Sequence, residues 1–279
     1  MTDAIQGQEF MLLDWMRRLG GKRVPPALLE KLREEAAAMP LLAGLSAEEN
    51  GRLLQLAGEL LMAKTITALE DMEVDDAMRC RAVLQLALPG MNLGIGAYGN
   101  WREVVLYPAP FVVRSRWQDG MGLTHEGEQV LIGQAHYQGP LVLSWPDVNE
   151  SPLLDGWNVA LHEIAHQFDM LDGPANGAPP LHKGMDRALW SRVWNQAYRQ
   201  FCREVDHGLE GWLDPYASEN PAEFFAVQSE AFFEIPHLQR RDYPELYRQL
   251  SLFYRQDPAA RLPEVAEADL LPPPPPPQA

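Results

Sequence analysis

The hydrophobic period of the chain changes twice. From about Pro25 to Leu88 the leucines stand three and four apart, as in "PPALLEKLREEAAAMPLLAGLSAEENGRLLQLAGELLMAKT", with Ser46 and Glu49 set as a capping box. That spacing predicts packed helices. Around Leu93 the pattern shifts, and "EVVLYPAPFVV", "QVLIGQAHYQ" and "GPLVLSWPDV" read as short strands separated by Gly, Pro and Asp. After Pro152 the helical period returns in Asn158 to Leu171, Met185 to Val205, Pro221 to Phe233 and Tyr243 to Tyr254. Helices, then strands, then helices give an α+β fold with a small mixed sheet.

At 279 residues the chain can bury a sizeable core, and its formal charge of −16 disfavours direct contact with nucleic acid or an anionic membrane. Neutral peptides and basic partners fit that charge better. Cys80 and Cys202 form no CxxC pair, so neither a disulfide framework nor a cysteine-ligated metal is expected, and a reducing cytoplasm is the simplest setting. The N-terminal "MTDAIQGQEFMLLDWMRRLGGKR" has a short apolar run broken by Asp14 and no basic segment ahead of it, unlike a signal peptide. No span reaches the roughly 18 apolar residues needed to cross a bilayer. A soluble, cytoplasmic protein is the expectation.

Two segments invite a functional reading and resist it. "GIGAYG", Gly94 to Gly99, matches GxGxxG, but a dinucleotide site needs a strand before it and a helix opening at its end, whereas here a strand comes after it. A turn is expected. The tail "LLPPPPPPQA" is a proline run that lacks backbone donors and is expected to be extended and flexible.

The chemistry concentrates in "NVALHEIAHQFDMLDG", Asn158 to Gly173. On a helix, His162 and His166 share a face and can aim two imidazole nitrogens at one point. Glu163 lies about 100° further round, where it can reach a metal-bound water as a general base without ligating the metal. Val159, Leu161, Ala165 and Phe168 supply a packing face, and Gly173 is expected to cap the helix. Two histidines on a surface helix remain the bland alternative.

A catalytic zinc needs a third protein ligand and an open position. The metzincin continuation fails because Asp169 and Asp172 stand where Gly and His would be. No glutamate occurs between Glu163 and Glu204, and Asp186, at the thermolysin-like distance, is a short reach. In "NPAEFFAVQSEAFFE", Glu223 and Glu230 share a helix face, and Phe224, Phe225, Phe232 and Phe233 would anchor that helix in the core. Glu223 also fits a cap formed with Asn220 and Pro221. Glu230 could be a ligand, an orienter of a histidine or a solvated charge. Spacing leaves these alternatives open.

"LHEIAHQFDMLDG", "YPAPFVV", "GPLVLSW" and "NPAEFFAVQSEAFFE" together resemble the Mlc titration factor A family of bacterial zinc metallopeptidases, from about Leu41 to Leu262. The resemblance implies a zincin-like fold related to the anthrax lethal factor protease domain, one Zn2+ on His162, His166 and Glu223, and Glu163 as catalytic base. It also implies that Tyr216, seven residues before Glu223, faces the metal and assists the oxyanion. The expected division is a helical N-terminal region at 1–90, a zincin-like domain at 91–262 and a proline-rich flexible tail at 263–279. Implied partners are a peptide substrate, cleaved in an aminopeptidase-like manner, and a repressor of the Mlc type. "GPLVLSW" suits either an edge strand that pairs with an extended peptide or an interior strand.

Overall fold

The computed structural model describes residues 23–69, 72–99, 101–108, 139–209 and 211–270, with the strand backbone over 111–118, 124–131 and 133–135. The proline run and the N-terminal twenty-two residues lie outside the described residues. Helix α1 (Pro26–Ala37) opens on a proline, whose missing N–H costs nothing at that position. The Ser46–Glu49 capping box closes the start of α2 (Ala47–Ala63) in both directions, with Glu49 N–H donating to Ser46 Oγ at 3.2 Å and Ser46 N–H donating to Glu49 Oε2 at 2.9 Å. Helix α3 (Asp76–Gly90) is capped by Asp75, which accepts from Met78 N–H at 2.8 Å. Leu28, Leu32, Leu53, Leu60 and Leu84 bury the facing sides of these three helices.

The N-terminal half is not wholly helical. Between α2 and α3 the β-branched "TITA" forms strand β1 (Thr65–Ala68), which pairs in parallel with β2 (Glu103–Tyr107), Ile66 beside Val104. A four-residue strand is too short for period to reveal, and its partner decides it. Strand β6 (Leu141–Ser144) adds to the other side of β2 in parallel, and β5 (Gly133–Ala135) pairs antiparallel with β6, giving the order β1-β2-β6-β5. The "GPLVLSW" strand is therefore interior, with all four residues of β6 buried. Strands β3 (Phe111–Gln118) and β4 (Thr124–Leu131) form a separate antiparallel hairpin.

"GIGAYG" forms a single 3-10 turn over Ile95–Tyr98 after helix α3, with Gly94 and Gly99 at positive φ. Tyr98 donates its hydroxyl to the Leu86 carbonyl at 2.8 Å, and its ring meets Phe168 edge-on. It is a packed corner.

After a short helix α4 (Trp145–Glu150) come α5 (Val159–Asp169), α6 (Arg187–Asp206), α7 (Pro221–Glu234), α8 (Pro236–Asp242) and α9 (Pro244–Tyr254). Phe224, Phe225, Phe232 and Phe233 of α7 are buried, against Trp190 and Trp194 of α6 and Phe253 and Tyr254 of α9. At about 1.5–3 kcal/mol for each fully buried side chain, these rings fix α7 firmly against α6 and α9. One contiguous apolar core runs from Val24 to Leu262. No helix among the described residues is long and apolar enough to cross a membrane.

Candidate metal centre

Helix α5 begins at Asn158, whose Oδ1 accepts from Leu161 N–H at 3.0 Å. The helix expected to pack by the face of Val159, Leu161, Ala165 and Phe168 is instead enclosed, since every residue of α5 except His162 is buried. It ends at Asp169, with Met170 rather than Gly173 in the cap position. Asp169 turns inward and accepts the N–H groups of Asn176, Gly177 and Ala178 at 2.7, 2.6 and 2.9 Å, so the chain leaves the helix before Gly173.

His162 and His166 face one another with their Nε2 atoms 3.1 Å apart. Glu223 Oε2 completes a triangle, 3.0 Å from His162 Nε2 and 3.2 Å from His166 Nε2. Asn220 caps α7 by itself, accepting from Ala222 N–H at 2.9 Å and Glu223 N–H at 3.1 Å, which leaves the Glu223 carboxylate free to reach α5. Asp186 caps α6 through the N–H groups of Ala188 and Leu189 and takes no part.

This triangle fits a cation. Metal–ligand distances of about 2.0–2.1 Å place tetrahedral ligand atoms about 3.3 Å apart, close to the edges seen here. Two ring nitrogens and a carboxylate oxygen in mutual contact cannot all be joined by hydrogen bonds unless protons are shared, whereas one cation satisfies all three. Among the described residues it is the one cluster of three His, Cys, Asp or Glu residues whose ligand atoms lie within 4.8 Å of one another.

Glu230, two turns further along α7, is 3% exposed and holds the other side of His162, with Oε1 2.7 Å from Nδ1. Its second oxygen accepts from Asn158 N–H at 2.7 Å. A carboxylate only accepts, so Nδ1 carries a proton and Nε2 is turned toward Glu223. The Asn158 amide in turn donates to Gln85 of α3 and to Glu234 of α7, each at 3.0 Å. Period alone could not reveal Gln85, Asn158 and Glu234 as supports of the site, because they join residues more than seventy positions apart. The one legible signal was an Asn three residues before Leu161, which marks a helix cap.

Electrostatics follow the geometry. Burial pushes the Glu163 carboxyl up to about 7, against the lowering influence of His162 and His166. Its Oε2 is buried without a hydrogen-bond partner. Burial works against charge on His162, yet the charge of Glu230 and the hydrogen bonds from Glu223 and Glu230 hold the ring well above its ordinary value. For Glu223, burial is overcome by the two histidines, which keep the carboxyl well below the ordinary range. Tyr216, in the turn Pro215–Ser218, sits with its ring centroid 6.4 Å from that of His162 and is 38% exposed. Burial, and then the charge of Glu223, hold its phenol above the ordinary value, so it stays a donor.

A buried HExxH helix, a distant glutamate that completes a triangle of possible metal-binding atoms and a small sheet beside them stand together here. The chain belongs to the glucose-regulated metallo-peptidase M90 family, whose pattern it matches over residues 13–255. Among its relatives are proteins named Mlc titration factor A. That of Pectobacterium atrosepticum is 43% identical over 234 residues, 82% of this chain and 87% of its own length. Those of Yersinia pestis and Yersinia pseudotuberculosis are each 43% identical over 244 residues, 86% of this chain and 90% of theirs. The family match begins well ahead of Leu41, so the similarity takes in part of the N-terminal segment that the resemblance had left out.

Proposed function

We propose that this chain is a zinc-dependent, zincin-like metallopeptidase of the cytoplasm, acting in an aminopeptidase-like manner on short peptides. The observation that carries the reading is the triangle of His162 Nε2, His166 Nε2 and Glu223 Oε2, with edges of 3.0–3.2 Å, beside a buried Glu163 whose Oε2 has no hydrogen-bond partner. His162, His166 and Glu223 would hold the ion. When bound, zinc supplies Lewis acidity, polarising a carbonyl and bringing the pKa of a water to about 7.

The residues of the chain do the rest. Glu163, poised at about 7, is matched to take a proton from the attacking water and return it to the leaving amine near neutral pH. Glu230 keeps His162 in the tautomer that turns Nε2 inward. Tyr216 stays protonated and can donate its hydroxyl to the developing oxyanion. Because β6 is interior, an extended peptide would pair with β5, whose far side carries no strand among the described residues.

Purified protein is expected to bind about one zinc per chain, and Glu163→Ala is expected to keep the zinc while peptide hydrolysis falls by a factor of at least ~100. Full activity in that variant would sink the assignment.

A second reading rests on the relatives' name and on the charge of −16. In it the chain sequesters a repressor of the Mlc type, whose DNA-reading surface would be basic, and peptidase activity is secondary. Capture of such a repressor from the native host, undiminished by Glu163→Ala and abolished by raised salt, supports that reading; loss of capture with catalysis speaks against it.

A further inference from the structure

Asp169 sits at the electrostatically wrong end of α5. The last turn of a helix disfavours an anion, and full burial adds to the cost, yet this carboxyl is 0% exposed at the final helical residue. Three backbone N–H groups offset that: Asn176 and Gly177 donate to Oδ2 at 2.7 and 2.6 Å, and Ala178 to Oδ1 at 2.9 Å. The carboxylate draws residues 176–178 into a strap that crosses from α5 to α7. Gly177 stands in the left-handed region at φ +77°, and a Cβ there would lie 2.4 Å from the Pro221 carbonyl oxygen. Only glycine lets the strap approach so closely. Pro221 opens α7, and Glu223 lies in the same turn.

On the reading that His162, His166 and Glu223 are metal ligands, we propose that Asp169 and Gly177 are positioning residues for the metal centre, setting where the first turn of α7 places the Glu223 carboxylate relative to His162 and His166. Phe224 and Phe225, the two residues after Glu223, pin the inner side of the helix on Trp194, and the Asn220 cap holds its start. The strap adds a contact ahead of Glu223, at the Pro221 carbonyl. Its anchor, Asp169, stands about one helical turn beyond His166, so both ends of the link move with the segments that carry His166 and Glu223.

The test uses the full-length protein stripped of metal and titrated with zinc alone against a competing chelator. Asp169→Asn preserves shape but turns an amide NH2 or an uncharged oxygen toward three donors. Gly177→Ala forces strap and helix apart. Each is expected to weaken zinc binding about 10–100-fold, the range for residues that orient ligands. Cobalt(II) loaded in place of zinc should show weaker and shifted visible d–d bands in both variants, since those bands report ligand geometry. Leu32→Ala, in the core of α1, serves as the control: it should lower the melting temperature yet leave zinc affinity and the cobalt spectrum unchanged. Should Gly177→Ala fail to fold, the isosteric Asp169→Asn decides. Wild-type affinity and cobalt spectrum in Asp169→Asn overturn the proposal, as does an equal change in Leu32→Ala. Glu223→Ala, run alongside, separates the two layers: if it binds zinc like wild type, the ligand reading fails, whereas a loss there beside unaltered strap variants rejects only the positioning role.

Discussion

Glu163 and Glu234 are both buried carboxyls raised above the ordinary carboxylate range by burial, but only Glu163 stands beside the triangle of His162, His166 and Glu223. Glu234 is 0% exposed, and burial outweighs the Asn158 hydrogen bond that favours its charge. Its folded form therefore holds a proton that the unfolded chain releases near its ordinary value of 4.5. The resulting stability is fully present below that value and is lost as pH rises toward the folded pKa. Glu234→Gln keeps the shape and removes the titration. The variant should match wild type near pH 4.5 and exceed it by about 1–3 kcal/mol at pH 8, in paired denaturant titrations across that range. Parallel stability curves would show that Glu234 is charged in the folded protein. At this scale the sequence was most legible where the relation is local. His162, Glu163 and His166 are fixed by helical spacing, whereas Glu223 could not be told from a cap, because Asn220, which does the capping, stands three residues before it. Glu230 needed the tertiary structure as well, since its role depends on which face of α7 meets His162.

Among the elements, α5 departs furthest from expectation. Its sequence reads as amphipathic, but the sheet, α3 and α7 enclose it, so its polar residues are interior and each needs a partner. Asn158 meets that need at the helix start. It caps α5, gives its backbone N–H to Glu230 and gives its amide to Gln85 and Glu234. Asn and Asp are ordinarily equal as helix caps. Here they are not, because an aspartate would keep the cap while losing the amide donor and placing a charge between two glutamates. Asn158→Ala is expected to cost about 2–4 kcal/mol, the loss of a cap plus buried donors. Asn158→Asp should cost at least as much at pH 8 and visibly less at pH 5, where the added carboxyl can hold a proton. An aspartate variant as stable as wild type at pH 8 would refute this account of the helix start. Strands β1 and β6 were misread or undecided for a related reason: a strand's place in a sheet depends on its neighbours, and the partners of β1 lie 38 residues away.

Over the whole molecule, the N-terminal helices and the candidate metal centre share one core, and the link between them is specific. Strand β1 covers one side of β2, α3 packs against α5, and Gln85 of α3 reaches the Asn158 amide that supports Glu230 and so His162. Gln85 is itself held by donating to the Val148 carbonyl at 2.8 Å. We propose on this ground that the described part of the segment 1–90, from residue 23 onward, is packed on the catalytic part as an obligatory portion of one folding unit. A chain beginning at residue 91 would leave an unpaired edge on β2 and uncover the face of α5 that α3 packs against, both of which favour aggregation. It would also leave Asn158 without one of its side-chain partners. The truncated protein is expected to be insoluble, or to melt without a cooperative transition, and to bind zinc more than ~100-fold more weakly than the full chain when refolded. Adding the segment 1–90 as a separate chain during refolding should recover zinc binding in part, because the lost contacts are non-covalent. If the truncated chain instead folds cooperatively and binds zinc with the full chain's affinity, the metal centre is self-sufficient and the Gln85 contact carries no weight in holding it.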